Sequence, residues 1–495
     1  MTATASGAAN RAAERIQRLE IDGVTVYWAP DAPRSVGALQ FRSGRADEPF
    51  PMMGISHLVE HLALYPIGRR PYATNGFVDH VRTVFHVTGE AHEVGTYLSE
   101  VAGHLRDLPL TRLSDESRIL RTEAISRTPT IGEHLLWFRY GARGYGSLVI
   151  SEFGLGTITA ESAGGWATAR HTTGNAAAWI AGPMPDGLDL KLPAGGRVGT
   201  IPRVPVDPFP VPAWAPARLP GIALGIIVPR SSAATMALRI LTERLERRLR
   251  YDIGKSYEVS LAYLPLDAEV GHGSLFASSL DGEIEEVRRN FLEVVDGYLA
   301  SGPTREELAE DIDGYERARN DPDAVFGELD RRVFNDLLGH PRDTPAELLE
   351  EMQEVTPESA RAAAEGALAT SILAGPLSDG PGGRWQAYPS WSAAAVIGRR
   401  HEAAGRRFPW QKRFEQLIVG DEGVSWIGPE GQSLTVRFAD CVGVVADPGP
   451  VRVLYGGDGF TVRVAAADWQ NGLDAVARID RSMPDGLVVD GSGAA

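Results

Sequence analysis

Apolar and polar residues alternate along Gly23 to Ala29 and Gly37 to Arg42, the period that places every second side chain of a strand on one face. Leu58, Leu62 and Leu64 then recur at helical spacing after the turn residues Gly54-Ile55-Ser56, with Ser56 a candidate N-cap. Val81 to Thr88 reads as a further strand. Leu113 to Ile125 reads as a helix, with Ser114 at its expected N-cap and acidic residues in its first turn. Prolines at 193, 202, 205, 208, 210, 212, 216 and 220 exclude continuous helix or central strand and predict an extended linker over 193–220. A second αβ unit follows: an apolar strand Ile222 to Val228, a long helix from Ala233 to Arg250, strands Tyr257 to Leu264 and Gly273 to Ser279, then helices Glu283 to Leu299 and Arg305 onward. No repeat between the two units is visible in the sequence itself.

Gly380-Pro381-Gly382-Gly383 opens a second linker, 377–409. Beyond it, short alternating strands from Phe414 to Val464 are separated by Gly-rich turns, and Asp468 to Arg481 predicts one amphipathic helix with Trp469, Leu473, Val476 and Ile479 along one side. Many strands closed by a terminal helix resemble a small pleckstrin-homology-like (PH-like) barrel. The fold class expected is therefore α+β, with units over 18–192, 221–376 and 410–486. A chain of 495 residues is too long for one core, which agrees with this division.

Composition narrows the chemistry. The chain is 43% apolar and 23% charged, as in ordinary globular proteins, and its net charge of −16 argues against a nucleic-acid partner. The single cysteine, Cys441, excludes an internal disulfide and a cysteine-built metal site. Met1 to Arg18 lacks the apolar core of a secretion signal, and no uncharged apolar run is long enough to span a bilayer, so the expected location is the cytoplasm.

The densest chemistry lies in His57-Leu58-Val59-Glu60-His61. On a helix, His57 and His61 at i and i+4 share one face and can grip one metal ion, while Glu60 beside them can accept a proton from water. His-x-x-Glu-His is the inverted form of the zinc-peptidase helix motif. A catalytic zinc usually has three protein ligands, and the predicted helix from Leu113 offers Glu116 and Glu123, seven residues and about two turns apart. One of the pair could bind metal while the other orients an imidazole.

With this motif and glutamate pair, the chain resembles the pitrilysin or insulinase-like zinc peptidases, the M16 family, and in particular their processing-peptidase type. The resemblance implies that His57, His61 and Glu123 ligate Zn2+, that Glu60 is the general base, and that Glu116 supports a ligand from behind. Asn75-Gly76-Phe77-Val78 takes the place of the family's Asn-Ala-x-Thr segment, which implies that Asn75 binds substrate backbone. The stretch from His61 to Asn75 is shorter than usual, so a helix that follows the motif is trimmed. Arg250-Tyr251-Asp252-Ile253-Gly254-Lys255-Ser256-Tyr257 resembles the family's Arg-x-x-x-Gly-x-x-Tyr segment, in which Arg250 and Tyr257 would hold the substrate and polarise its carbonyl.

The implied activity is zinc-dependent endoproteolysis of peptides or unfolded segments inside a closed chamber. Because long members carry four such domains and this chain carries two, the resemblance implies a homodimer with Arg250 and Tyr257 supplied across the interface. A catalytically silent assembly subunit of the same fold, and a protease that removes the leader of a ribosomal peptide, are the alternatives. The segment 377–495 is expected to be accessory.

Overall fold

The computed structural model describes residues 13–203, 205, 211–340, 344–405 and 415–491. The N-terminal stretch to residue 12, part of the Pro-rich linker and the expected boundary at residues 406–414 lie outside them. The first unit is built on a six-stranded sheet from β1 (Gln17–Ile21), β2 (Val24–Ala29), β3 (Val36–Phe41), β4 (Ala73–Val78), β5 (Thr83–Thr88) and β6 (Ala176–Ala181), in the order β1-β2-β6-β3-β5-β4. β2 runs parallel to β6 and the remaining pairings are antiparallel.

The second unit repeats this plan. Its strands are β7 (Ala213–Pro216), β8 (Gly221–Pro229), β9 (Val259–Pro265), β10 (Val270–Ser278), β11 (Ile372–Gly375) and β12 (Gln386–Ala387), in the order β12-β7-β11-β8-β10-β9. Here β7 runs parallel to β11, which is antiparallel to β8, so β7, β11, β8, β10 and β9 match β2, β6, β3, β5 and β4 one for one. In each half a helix follows the strand at the sheet's centre and leads to the edge strand: Ile55–Leu64 in the first and Ser232–Glu246 in the second.

Both sheets are covered on two faces, which is why β3 and β6 are buried along their whole length. One face of the first sheet packs on Leu58, Leu62, Val94, Leu98 and Val101. Its other face is covered by a helix of the second half, Ala324–Leu337, through Val325, Leu329, Val333 and Leu337. In return Ile131–Tyr140, a helix of the first half, buries Leu135 against Ala223, Phe276 and Ala374 of the second sheet. Each half thus lends the other a helix, and Arg139 donates to the Thr370 carbonyl across the junction at 2.5 Å.

Three expectations need correcting. Ala213–Pro216 lies within the stretch read as linker yet forms an inner strand, because its prolines sit at the ends of the paired run and leave three residues free to bond. Gln386–Ala387 and β13 (Gly398–Glu402) lie within the second expected linker; the former extends the second sheet, and β13 is the first strand of the C-terminal module. The closing helix is Gly472–Ser482, so Trp469 precedes it; Ala475, Val476 and Ile479 form the buried face and Leu473 is exposed.

The C-terminal module joins β13, β14 (Gln416–Gly420), β15 (Gly423–Ile427) and β16 (Ser433–Arg437) in one sheet. The second sheet comprises β17 (Cys441–Asp447), β18 (Val451–Gly456), β19 (Thr461–Ala465) and β20 (Val488–Asp490), ordered β19-β18-β17-β20. Leu417, Val419, Val424 and Val436 of one sheet share a core with Val444, Leu454, Val462 and Val464 of the other, and the closing helix seals it. No helix among the described residues is long and apolar enough to cross a membrane.

Candidate metal centre

The motif helix, Ile55–Leu64, begins at Gly54, whose φ of 95° is open to glycine and strained for other residues. Its first N–H groups are met from a distance. Glu48, fully buried, accepts hydrogen bonds from the backbone N–H of Gly54 at 2.8 Å and of Ser56 at 2.9 Å. Ser56 therefore lies inside the helix and is not its cap. Burial pushes the Glu48 carboxyl up to about 7, against the two backbone N–H groups that pull it down and with the nearby Glu152 charge raising it further.

Leu58, Val59 and Leu62 are buried under the helix, which turns His57, Glu60 and His61 to a common site. The Nε2 atoms of His57 and His61 lie 3.9 and 4.0 Å from Glu60 Oε2, and the two rings stand perpendicular with centroids 4.9 Å apart. Glu123, from the helix Leu113–Ser126, brings Oε2 to 3.9 Å from His57 Nε2 and keeps its carboxylate half exposed. Ser114 does not cap that helix; its N-cap position is Arg112, two residues before Ser114, and the helix runs from Leu113.

Each imidazole is held from behind by a buried carboxylate. Glu116 Oε2 lies 3.2 Å from His61 Nδ1, and Arg112 donates to Glu116 Oε1 at 3.3 Å. Glu152, 95 residues beyond His57, places both carboxylate oxygens 3.3 Å from His57 Nδ1. With Nδ1 engaged, Nε2 of each ring is free to donate its lone pair toward the cluster, the tautomer a metal ligand requires. Two ligands bound to one zinc at about 2.1 Å with tetrahedral angles stand about 3.4 Å apart. His57 Nε2 lies 3.9 Å from Glu123 Oε2, and the group whose ligand atoms already stand together is His57, Glu60 and His61. Glu123 must swing toward His61 to complete a His57–His61–Glu123 set, and the nitrogen and oxygen donors of that set suit zinc.

Electrostatics sharpen the roles. Burial raises the Glu60 carboxyl above its ordinary range, with the neighbouring His61 and His57 charges pulling the other way. Burial lowers the His57 imidazole, but the hydrogen bond and charge of Glu152, with the charges of Glu60 and Glu123, more than reverse this and raise it. Burial likewise raises Glu152, and its bond to His57 together with the charges of His57, Arg45 and Arg127 bring it below the usual carboxylate range.

Among the residues singled out in the sequence, His57, Glu60, His61, Glu116 and Glu123 come together. Asn75 lies on β4, the edge strand beside the motif helix; it is exposed, and its carbonyl accepts from the buried Tyr97 hydroxyl at 2.9 Å. Arg250 and Tyr257 belong to the second half, where Arg250 pairs with Glu246 at 2.9 Å and lies over the rings of Tyr251 and Tyr257. Tyr257 is 87% exposed.

Sequence reasoning missed Glu48, Glu152 and the use made of Gly76. A Cβ on Gly76 would fall 2.2 Å from Glu60 Oε1, so glycine there is what lets the carboxylate lie against β4. Glu152 does carry a signal, as the lone charged residue between Arg143 and Glu161. An isolated acid in so apolar a stretch is costly to bury without a partner.

No family model matches the chain, and no curated protein sequence does. Solved structures do. The structure titled peptidase M16 inactive domain from Pseudomonas fluorescens matches with a TM-score of 0.57 at 16% identity, over 73% of this chain and 97% of that one. A protease from Helicobacter pylori gives 0.60 at 14% identity, over 73% and 99%. The periplasmic protease PqqL from Escherichia coli gives 0.58 at 13% identity, over 86% of this chain and 56% of that one. The fold is therefore that of a peptidase, built as two similar αβ halves. It is the M16 peptidase fold, with a β-rich C-terminal part.

Proposed function

We propose that the chain is an M16-type zinc metalloendopeptidase that cleaves peptides or unfolded segments. The observation that carries this reading is the pairing of two imidazoles on one helix, each held at Nδ1 by a buried carboxylate, with a third buried carboxylate between them. His57, His61 and Glu123 would hold the ion, which when bound would polarise the scissile carbonyl and acidify water. Glu60, buried and with its carboxyl raised above its ordinary range by that burial, accepts the proton of the attacking water and passes it to the leaving amine. β4 pairs with β5 alone, so its outer edge presents backbone donors and acceptors on which an extended peptide can lie as an added strand beside Asn75.

Arg250 and Tyr257 then supply a guanidinium and a phenol for the oxyanion. The first half holds the ligands and the second holds these two residues, so a chamber closed by a two-fold axis gives two equivalent sites, each completed by Arg250 and Tyr257 of the partner. A silent assembly subunit is the alternative, favoured by the trimming after the motif, where a short turn, Tyr65–Ile67, is followed by β4 at Ala73. A buried Glu60 carboxyl set between two imidazoles serves no purpose in a scaffold. A leader-removing protease would differ in substrate only.

The test is digestion of a peptide library by the purified protein, with zinc measured in parallel. Glu60→Gln should keep zinc and lose hydrolysis by about 10²- to 10⁴-fold; full activity would overturn the mechanism. Mixing Glu60→Gln with Arg250→Ala/Tyr257→Phe under chain exchange should restore activity through one intact site per mixed dimer. No recovery despite demonstrated exchange would overturn the shared site.

A further inference from the structure

The C-terminal module meets the catalytic half along several contacts, among them the Ala142 N–H to the Gly457 carbonyl and Arg143 to the Asp440 carbonyl, and one of them lies behind the metal centre. Two segments present buried carboxylates to the motif helix: Glu48, which caps it, and Glu152, which holds His57. Two residues beyond Glu48 is Phe50, and directly after Glu152 is Phe153. These two rings stack with centroids 6.3 Å apart, and Tyr455 of β18 completes the cluster at 5.0 Å from Phe50 and 6.3 Å from Phe153. Val445 of β17 and Val489 of β20 are buried in the same cluster with Met53 and Ile150.

The approach is close on both sides. A Cβ on Gly443 of β17 would fall 1.9 Å from the Phe50 ring, so the strand reaches this ring only as glycine. On the catalytic side, a Cβ on Gly54 would fall 2.9 Å from the Glu152 Cβ and 2.8 Å from Leu155, and one on Gly154 would fall 2.6 Å from the Met53 N. The Glu152 segment is thus pressed between the start of the motif helix and the module. Its outer support is ionic: Arg45 Nε lies 3.9 Å from Glu152, and Arg45 and Arg127 both pair with Glu133. Glu152 follows a 3₁₀ segment, Gly144–Val149, and precedes another, Phe153–Gly156, so it lies on neither regular helix nor strand; packing on both sides must set its position.

We propose that Glu152 is a positioning residue for His57, and that the C-terminal module is the support that holds Glu152 in place through Phe153, Phe50 and Tyr455. The module is then part of the metal centre's construction and not an accessory unit. This inference rests on the reading of His57 as a zinc ligand. It goes further in assigning a role to a domain that contributes no ligand.

The test is zinc affinity of the full-length protein, measured by competition with a chromophoric chelator, so that peptide hydrolysis does not enter. Glu152→Gln keeps the shape and removes the charge, and should weaken zinc binding about 10- to 100-fold. Tyr455→Leu should weaken it in the same direction, and Tyr455→Phe, which retains the ring, should leave it unchanged. Val419→Ala opens a cavity in the module's core away from the contact, and should lower the melting temperature without altering zinc affinity. Wild-type affinity in Glu152→Gln would overturn the role of Glu152, and wild-type affinity in Tyr455→Leu would overturn the role of the module. Equal weakening in Val419→Ala would show a general loss of stability instead of a specific support. A wild-type protein that binds no zinc would overturn the metal reading itself and this inference with it.

Discussion

The two αβ halves share one strand plan and differ in what their corresponding helices carry. In the first half the helix that leads to the edge strand presents His57, Glu60 and His61, and three buried carboxylates surround it. In the second half the corresponding helix presents Arg239 and Arg244, paired with Asp311 and Glu307 at 2.6 to 2.7 Å near the surface, and ends in a π turn at Arg247–Asp252 that bears Arg250. The scaffold is therefore neutral as to chemistry. What separates the halves is the convergence of buried carboxylates on two imidazoles of one helix, an arrangement that costs stability and is found where function requires it.

Breaking the helix core in each half should separate these roles. Leu62 and Leu241 are both fully buried under the corresponding helices. Alanine at either should cost about 2 to 5 kcal/mol, read as a lower melting temperature. Leu62→Ala should also weaken zinc binding, and Leu241→Ala should not. Equal effects on zinc would mean that the halves are coupled more tightly than their separate cores suggest.

A subtler change touches the base alone. Gly76→Ala places a methyl group where Glu60 Oε1 lies, and should lower kcat about 10²-fold, or about 2.7 kcal/mol, with zinc content unchanged. Unchanged turnover would show that Glu60 has room to move and that β4 does not set its position.

The smallest effect concerns Glu48 and pH. Its carboxyl sits at about 7 in the fold against an ordinary 4.5, so the unfolded chain holds fewer protons between those values. Stability from this group is full at low pH and falls as pH rises from about 4.5 through about 7, by on the order of 2 kcal/mol between pH 5 and 7.5. Glu48→Gln should flatten that slope in the melting temperature. An unchanged slope would assign it to other groups.

Much of this could be read from the chain. His57, Glu60 and His61 form a contiguous motif, and Glu116 and Glu123 lie on one periodic helix, so local spacing carried them. Six of the twelve strands of the two sheets, β2, β3, β5, β8, β9 and β10, followed from the apolar pattern. Glu48 was not legible and Glu152 showed only as an isolated charge, because each acts from an irregular segment whose position depends on packing between distant parts of the chain. The repeat between halves was hidden for a related reason: a strand plan is kept by burial pattern and connection, and many apolar residues satisfy both. The inner strand β7 was hidden by its flanking prolines, which signal a break although the residues between them are free to pair.

The most direct measurement is the zinc stoichiometry of the purified wild-type chain beside His57→Ala and Glu123→Ala. The account expects one zinc per chain in the wild type and a loss of tight binding in both variants, each shown to be folded by its melting transition. A wild type without zinc, or a Glu123→Ala variant that retains it at unchanged affinity, would contradict it.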